Sequence, residues 1–100
     1  MKVSIANNDG ATTIRIEGRL DTVAAGELEQ ALAPVYEAGN PNLRLDCRDM
    51  EYISSSGLRV FLKLKKHVMA QNGVLELSEL RPMVKEVFEM TGFSKMFQLK

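Results

Sequence analysis

The chain has 100 residues, in which 13 basic side chains balance 13 acidic ones. That length accommodates one folded domain, and a net charge of zero argues against a dedicated nucleic-acid binder, which would carry a basic surface. The sequence contains no apolar stretch near the roughly 20 residues of a membrane span, and its first residues lack the apolar core of a signal peptide. We therefore expect one cytoplasmic domain over residues 1–100, with no membrane insertion and no direct contact with nucleic acid.

The first part of the chain predicts a β-hairpin followed by a helix. Residues 2–6 and 11–18 alternate with period two, and Asn7-Asn8-Asp9-Gly10 between them favours a tight turn. The alternation breaks over residues 18–22, where Asp21 or Thr22 can cap the next helix. Apolar residues then recur at helical spacing as far as Tyr36. Pro34 conflicts with a regular helix interior, so we expect a kink or an early end there, with residues 39–41 closing the element at the latest.

The second part predicts an alternation of strands and helices. Residues 43–47 indicate a short, mostly buried strand, and the apolar pattern after three serines indicates a helix that ends at Asn72-Gly73. Residues 74–78 read as a strand, and Pro82 suits a first helical position before a face formed by Met83, Val84, Val87 and Phe88. Gly92 is a natural stop, and residues 95–99 can add a last short strand. The order β-β-α-β-α-β-α with a final β favours an α/β (α+β-like) fold with a mixed sheet of 4–5 strands covered by helices.

The most informative stretch is residues 49–62, where a turn-like segment leads into Ser54, Ser55, Ser56 and Gly57. Serine hydroxyls accept hydrogen bonds from the free N–H groups of a helix start, and they lie there at the positive end of the helix dipole. One serine suffices as a cap, so the surplus hydroxyls indicate a further role. Phosphorylation adds about −1.5 to −2 charge, which a helix start tolerates but a partner packed on that turn does not.

Catalysis by one of these serines requires a base within hydrogen-bond reach. His67 is the only histidine, and in a continuous helix it would lie about 18 Å beyond Ser55 along the axis. Lys63 is two turns away, and Asp46, Cys47 and Asp49 form a poor metal-ligand set. Phosphate-binding glycine loops are absent from the sequence. These observations predict a protein without enzymatic activity, catalytic residues, metal or cofactor.

Several other residues have an ordinary structural interpretation. Cys47 is expected to be a small buried thiol at a strand end, and His67 to lie on a solvated helix face. The basic residues Arg59, Lys63 and Lys66 read as the wet side of an amphipathic helix, although they begin beside the serines and can belong to a partner surface. The methionines of the last helix, Met83 and Met90, are expected to fill the core.

Three landmarks in order carry a family resemblance: Gly18-Arg19-Leu20-Asp21, the segment 45–62, and the segment 84–93 that ends in Thr91-Gly92-Phe93. Over nearly the whole chain, the sequence resembles the STAS-domain anti-sigma factor antagonists of bacteria. The resemblance implies a mixed sheet with helices packed mainly on one face. It also implies partner switching, in which the unmodified antagonist binds an anti-sigma factor, often a serine kinase, and so releases a sigma factor for transcription. A serine phosphatase reverses the phosphorylation that abolishes binding, and any ATP and magnesium belong to the kinase.

The family motif often reads Asp-Ser-Ser/Thr-Gly-Leu, with the phosphoacceptor directly after the aspartate. Laid on this chain, Ser54 takes the place of the aspartate and Ser55 that of the acceptor, with Ser56 and Ser54 as the alternative acceptors. The resemblance implies a partner-binding surface formed by Asp21, Ser54, Ser55, Ser56, Gly57 and Arg59. Because the carboxylate is missing, a second hypothesis stays open: a non-phosphorylated STAS subunit of a transporter or stress-sensing assembly.

Overall fold

The computed structural model describes residues 1–8, 10–39 and 42–99, with the backbone alone at residues 98 and 99. Of the predicted turn, residues 7–10, Asn7 and Asn8 belong to the first strand instead, and Asp9 lies outside the described residues. Of the predicted helix stop, residues 39–41, Gly39 caps the second helix with a φ of +66°, and residues 40–41 lie outside the described residues. The predicted order of elements, including the final strand, is confirmed. The elements are β1 Lys2–Asn8, β2 Ala11–Leu20, α1 Thr22–Ala31, α2 Ala33–Ala38, β3 Asn42–Ile53, α3 Ser55–Ala70, β4 Val74–Ser78, α4 Pro82–Met90, a 3₁₀ turn Phe93–Lys95 and β5 Gln98–Leu99.

The five strands form one sheet in the order β1-β2-β3-β4-β5. The strand β1 pairs antiparallel with β2, whereas β3, β4 and β5 each pair parallel with the preceding strand. The sheet is therefore mixed, as predicted. Parallel neighbours end at the same edge of a sheet, so the chain segments that follow β2 and β3 begin side by side.

One face of this sheet carries the core and the other faces solvent. Along β3, Leu43, Leu45 and Cys47 are buried while Arg44 between them is exposed, and β2 alternates in the same way. Such alternation is typical of a sheet covered on one side, and the helices α1, α3 and α4 all contact the strands. The solvent face carries ion pairs between neighbouring strands, including Arg44 with Glu76 at 2.8 Å and Arg15 with Asp49. Arg48 pairs with Glu79, the residue after β4, at 2.6 Å.

Three strands run further than their sequences predicted, and the first of them, β1, gains Asn7 and Asn8. The strand β2 continues through Gly18, which adopts a φ of +94°, to Leu20. The strand β3 includes residues 49–53, for which a turn-like segment was predicted, so that prediction was wrong. The register between β2 and β3 shifts twice along their length. Bulges of this kind insert extra residues into a ladder without ending it, and they disrupt the period-two pattern that marks a strand in a sequence.

The helices follow the predicted breaks more closely. The helix α1 ends at Ala31 and α2 starts at Ala33 with Pro34 in its first turn, which confirms the predicted interruption. The helix α3 is continuous and buries Leu58, Phe61, Leu64 and Val68 on one side. None of the helices in the described part of the chain has the length and apolar character that a membrane crossing requires.

The predictions for the isolated cysteine and for the methionines had different outcomes. Cys47 is fully buried, as expected, and burial raises the pKa of its thiol to about 12. The prediction that Met83 and Met90 fill the core was wrong, because their side chains are 77% and 79% exposed. The helix α4 turns Val84 and Phe88, four residues apart, towards the sheet, and the two methionines lie on its flank.

Candidate functional site

The starts of α1 and α3 lie next to each other at the carboxyl edge of the sheet. Leu20 and Ile53, the last residues of β2 and β3, are neighbours in the parallel register. The next residue in each case caps a helix: Asp21 Oδ1 accepts from the Ala24 N–H at 2.9 Å, and Ser54 Oγ accepts from the Gly57 N–H at 3.1 Å. Both caps are in the extended conformation usual for this position. The positive ends of two helix dipoles therefore face the same edge.

Ser54 joins the second helix start to the strand beside it. Its backbone N–H and its hydroxyl both donate to the carbonyl oxygen of Leu20, each at 2.9 Å, while the same hydroxyl accepts from Gly57. The residue is only 9% exposed. A carboxylate at this position can accept from Gly57 but has no proton to donate to the Leu20 carbonyl. The serine thus serves both as a helix cap and as a tie between α3 and β2.

Gly57 allows the first turn of α3 to approach the sheet closely. A Cβ atom at this position would lie 2.9 Å from Ile53 Cγ1 and 2.9 Å from Cγ and Cδ2 of Leu20, which is closer than packed carbon atoms normally approach. Gly57 is buried. Ser54 and Gly57, both predicted as partner contacts, therefore lie below the molecular surface, where they set the geometry of the residues above them.

The exposed part of the site consists of Ser55, Asp21 and Arg59. Ser55 is the first residue of α3 and its side chain is exposed, whereas Ser56 beside it is half-buried. Arg59 is exposed one turn further along α3. Residues four apart on a helix lie on the same face, so the structure places Ser55 and Arg59 together. Asp21, also exposed, lies at the adjacent helix start.

Three exposed residues at this edge were missed in the sequence. Val23, in the first turn of α1, is 73% exposed, and Tyr52, near the end of β3, is 39% exposed. The guanidinium carbon of Arg19 lies 4.4 Å from the centre of the Tyr52 ring, a cation–π contact that holds both side chains against each other. Continuing the alternation of β2 to its observed end would have placed Arg19 on the solvent face. Strict alternation gives no such signal for Tyr52, because along β3 it would also place the buried Met50 on the solvent face.

The histidine and the nearest lysine of α3 are engaged elsewhere. Because α3 is continuous, His67 lies about 18 Å from Ser55 along the axis, as predicted. Its ring contacts Tyr36 edge-on, with 4.8 Å between ring centres, and His67 is half-buried rather than on a fully solvated face. Lys63 pairs with Glu29 of α1. In the described ranges, no group of three or more His, Cys, Asp or Glu side chains is placed to hold a metal ion.

Comparison with known proteins places this arrangement in a family. The model of the STAS domain matches residues 2–100. A Bordetella bronchiseptica protein named as a candidate anti-sigma factor antagonist, BtrV, is 38% identical over 97% of this chain and 84% of its own length. The anti-sigma-B factor antagonist of Bacillus subtilis is 30% identical over 99% of this chain and 90% of its own length. A solved anti-sigma factor antagonist from Mycobacterium paratuberculosis superposes with a TM-score of 0.88 at 26% identity, covering 98% of this chain and 83% of the other. The chain belongs to the STAS-domain family, and the relatives described above are named as anti-sigma factor antagonists.

Proposed function

We propose that this chain is an anti-sigma factor antagonist and that phosphorylation of Ser55 switches off its binding to the anti-sigma factor. The observation that carries the proposal is the difference in burial and hydrogen bonding between Ser54 and Ser55. Ser54 is buried and uses its hydroxyl as cap and tie, whereas Ser55, the next residue, is exposed at the first position of α3. A visiting kinase can reach Ser55 without opening the fold, while Ser54 offers no free hydroxyl.

The electrostatics of the helix start allow such a switch. A phosphoryl group on Ser55 would add about −1.5 to −2 charge at the positive end of α3, which favours anions. The cap beside it is neutral, because a serine stands where the family often has an aspartate. A protein packed over the same turn would instead have to desolvate the added charge. A penalty of about 3 kcal/mol reduces an affinity more than one hundredfold.

We infer that the contact surface is the carboxyl edge of the sheet around Ser55. Its exposed members are Asp21, Val23 and Arg59, with Ser56 half-buried among them. The stacked pair of Arg19 and Tyr52 borders this area, since the two residues occupy the ends of β2 and β3. Tryptophan, tyrosine and arginine side chains supply most of the energy in such interfaces. Ser54 and Gly57 support the surface from below.

The proposed role is regulatory and has no catalytic step on this chain. Binding of the anti-sigma factor would release its sigma factor for transcription. The anti-sigma factor would act as the serine kinase with its own ATP and magnesium, and a serine phosphatase would restore binding. The structural reason is the separation described above, since neither His67 nor Lys63 is placed to activate Ser55.

The test requires the anti-sigma factor of the source organism, captured on the immobilised wild-type chain and then purified. Wild type and Ser55→Ala should bind it with similar affinity, and Ser55→Asp at least tenfold more weakly. Incubation with the purified anti-sigma factor and ATP should add the mass of one phosphoryl group to wild type and to Ser56→Ala, but not to Ser55→Ala. Equal binding of Ser55→Ala and Ser55→Asp, together with no added mass, would refute the switch and favour a non-phosphorylated subunit of a transporter or stress-sensing assembly.

A further inference from the structure

The strand β1 forms one outer edge of the sheet and is unusually open to further pairing. Within the described residues it pairs with β2 alone, so the outer side of the strand presents backbone N–H and C=O groups to solvent. Edge strands are normally kept short, bulged, or guarded by charges and proline. This one is seven residues long, pairs with β2 without a register shift, contains no proline and has Lys2 as its only charged residue. The other edge, β5, is two residues long.

An apolar side chain on β1 lies beyond the cover of the helices. Ile5 pairs with Ile14, and because paired residues point to the same face, both belong to the core side of the sheet. Ile14 is completely buried, but Ile5 is 39% exposed. Val3, two residues earlier on the same face, is partly buried against the core. The core side of the sheet therefore extends, at β1, beyond the area that the helices cover. An additional strand beside β1 would cover Ile5.

We propose that β1 is a self-association edge, along which a second copy of this chain pairs its own β1 in the antiparallel direction. A pairing centred on Ile5 places the two Ile5 side chains opposite each other on the core side. The same register places Lys2 opposite Asn8 of the second copy, so the pairing opposes no like charges. A two-fold contact of this kind uses one patch on both copies. The formal net charge of zero also removes long-range repulsion between them.

The size of the contact sets the strength of the dimer. One strand from each copy buries less than the roughly 1,000 Å² of a stable interface, so the association is weak and depends on concentration. Ser55 follows β3, which lies two strands away from this edge. A dimer would thus leave both Ser55 sites open, and this inference does not depend on the proposed function.

Sedimentation equilibrium of the full chain, from micromolar to near-millimolar concentration, tests the pairing. Wild type should pass from monomer to dimer across this range. Ile5→Lys places two ammonium groups opposite each other and should weaken the dimer at least tenfold. The matched control is Met83→Lys, which exchanges another exposed apolar residue, on α4, and should dimerise as wild type does. A wild type that stays monomeric throughout, or an Ile5→Lys dimer of unchanged strength, would overturn the proposal.

A second variant keeps the test decisive if Ile5→Lys disturbs the fold. In Ile5→Cys the two introduced thiols lie opposite each other across the two-fold axis, within the range of a disulfide. Mild oxidation should produce a covalent dimer, while the buried Cys47 stays reduced. Met83→Cys reports random collisional cross-linking. If Ile5→Cys cross-links no faster than Met83→Cys, the two strands do not meet and the inference is wrong.

Discussion

Replacing Gly57 by alanine tests how tightly the first turn of α3 is held against the sheet. The new Cβ would lie 2.9 Å from atoms of Leu20 and Ile53, whose side chains are 0% and 3% exposed. One of those atoms is Cγ of Leu20, a branch atom that rotation of a terminal methyl cannot clear. Overfilling a packed core in this way costs about 1–3 kcal/mol.

Alanine also has a favourable effect in a helix, which must be subtracted. Alanine is preferred to glycine in helix interiors by about 0.5–1 kcal/mol. The net loss for Gly57→Ala is therefore centred near about 1 kcal/mol and is at most about 2.5 kcal/mol; a loss of about 1 kcal/mol corresponds to a fall in Tm of about 4–8 °C for a domain of this size. Thermal and urea unfolding followed by circular dichroism measure both quantities.

Gly26 of α1 supplies the matched control. A Cβ atom there would meet nothing within 4 Å, so Gly26→Ala should show the helix preference alone and raise the stability by about 0.5–1 kcal/mol. Hydrogen exchange adds a local readout. The Ser54 N–H is bonded to the Leu20 carbonyl at 2.9 Å. It should exchange faster in Gly57→Ala than in wild type, and at the wild-type rate in Gly26→Ala. If both variants gain stability equally, the close approach of α3 to Leu20 is not a constraint and the reasoning fails.

Three further predictions concern the caps and the buried thiol. Ser54→Ala removes a cap and a bond to a buried carbonyl and should lower the free energy of unfolding by about 1–2 kcal/mol in urea titrations, whereas Ser55→Ala should change it by less than about 0.5 kcal/mol. Asp21→Asn retains a capping oxygen but loses the charge, so we expect an unchanged Tm and weaker partner binding, which would show that the partner contacts the charge itself. A lower Tm together with weaker binding would contradict this. Burial raises the pKa of the Cys47 thiol from 9.0 to about 12, so between pH 9 and pH 12 the thiol ionises only in the unfolded chain. Its contribution to the free energy of unfolding is complete below pH 9 and should fall by up to about 1.4 kcal/mol per pH unit towards pH 12. At neutral pH, iodoacetamide should label Cys47 in urea and not in the native protein; rapid native labelling would show that the thiol is accessible.

The sequence predicted those elements whose signals are local. The period-two patterns of β1 and β2 and the proline in the first turn of α2 act within a few residues of their own position, and the structure confirms the elements they predicted. The continuous α3 follows in the same way from its apolar stripe. By contrast, residues 49–53 were read as turn-like because bulges shift the register there, and a bulge is defined by the partner strand.

In the candidate site, too, the local features could be predicted from the sequence and the long-range ones could not. The sequence offered Asp21 or Thr22 as the cap of α1, of which the structure selects Asp21, and it identified the serines as a helix start, but it did not show which serine is buried. That distinction depends on the carbonyl of Leu20, which lies 34 residues before Ser54. The exposure of Met83 and Met90 was equally hidden, because methionine suits both a core and a surface and only the packing of α4 selects between them.

The double hydrogen bond onto the Leu20 carbonyl has a kinetic consequence for signalling. The bond involves Ser54 and Leu20 and not Ser55, so under the proposed function modification of Ser55 would leave it in place, and the on and off forms would share one backbone. No refolding step would then separate the two forms. The response time of the circuit would be set by the turnover of its kinase and phosphatase, and a phosphorylated chain would regain full affinity as soon as its ester is hydrolysed.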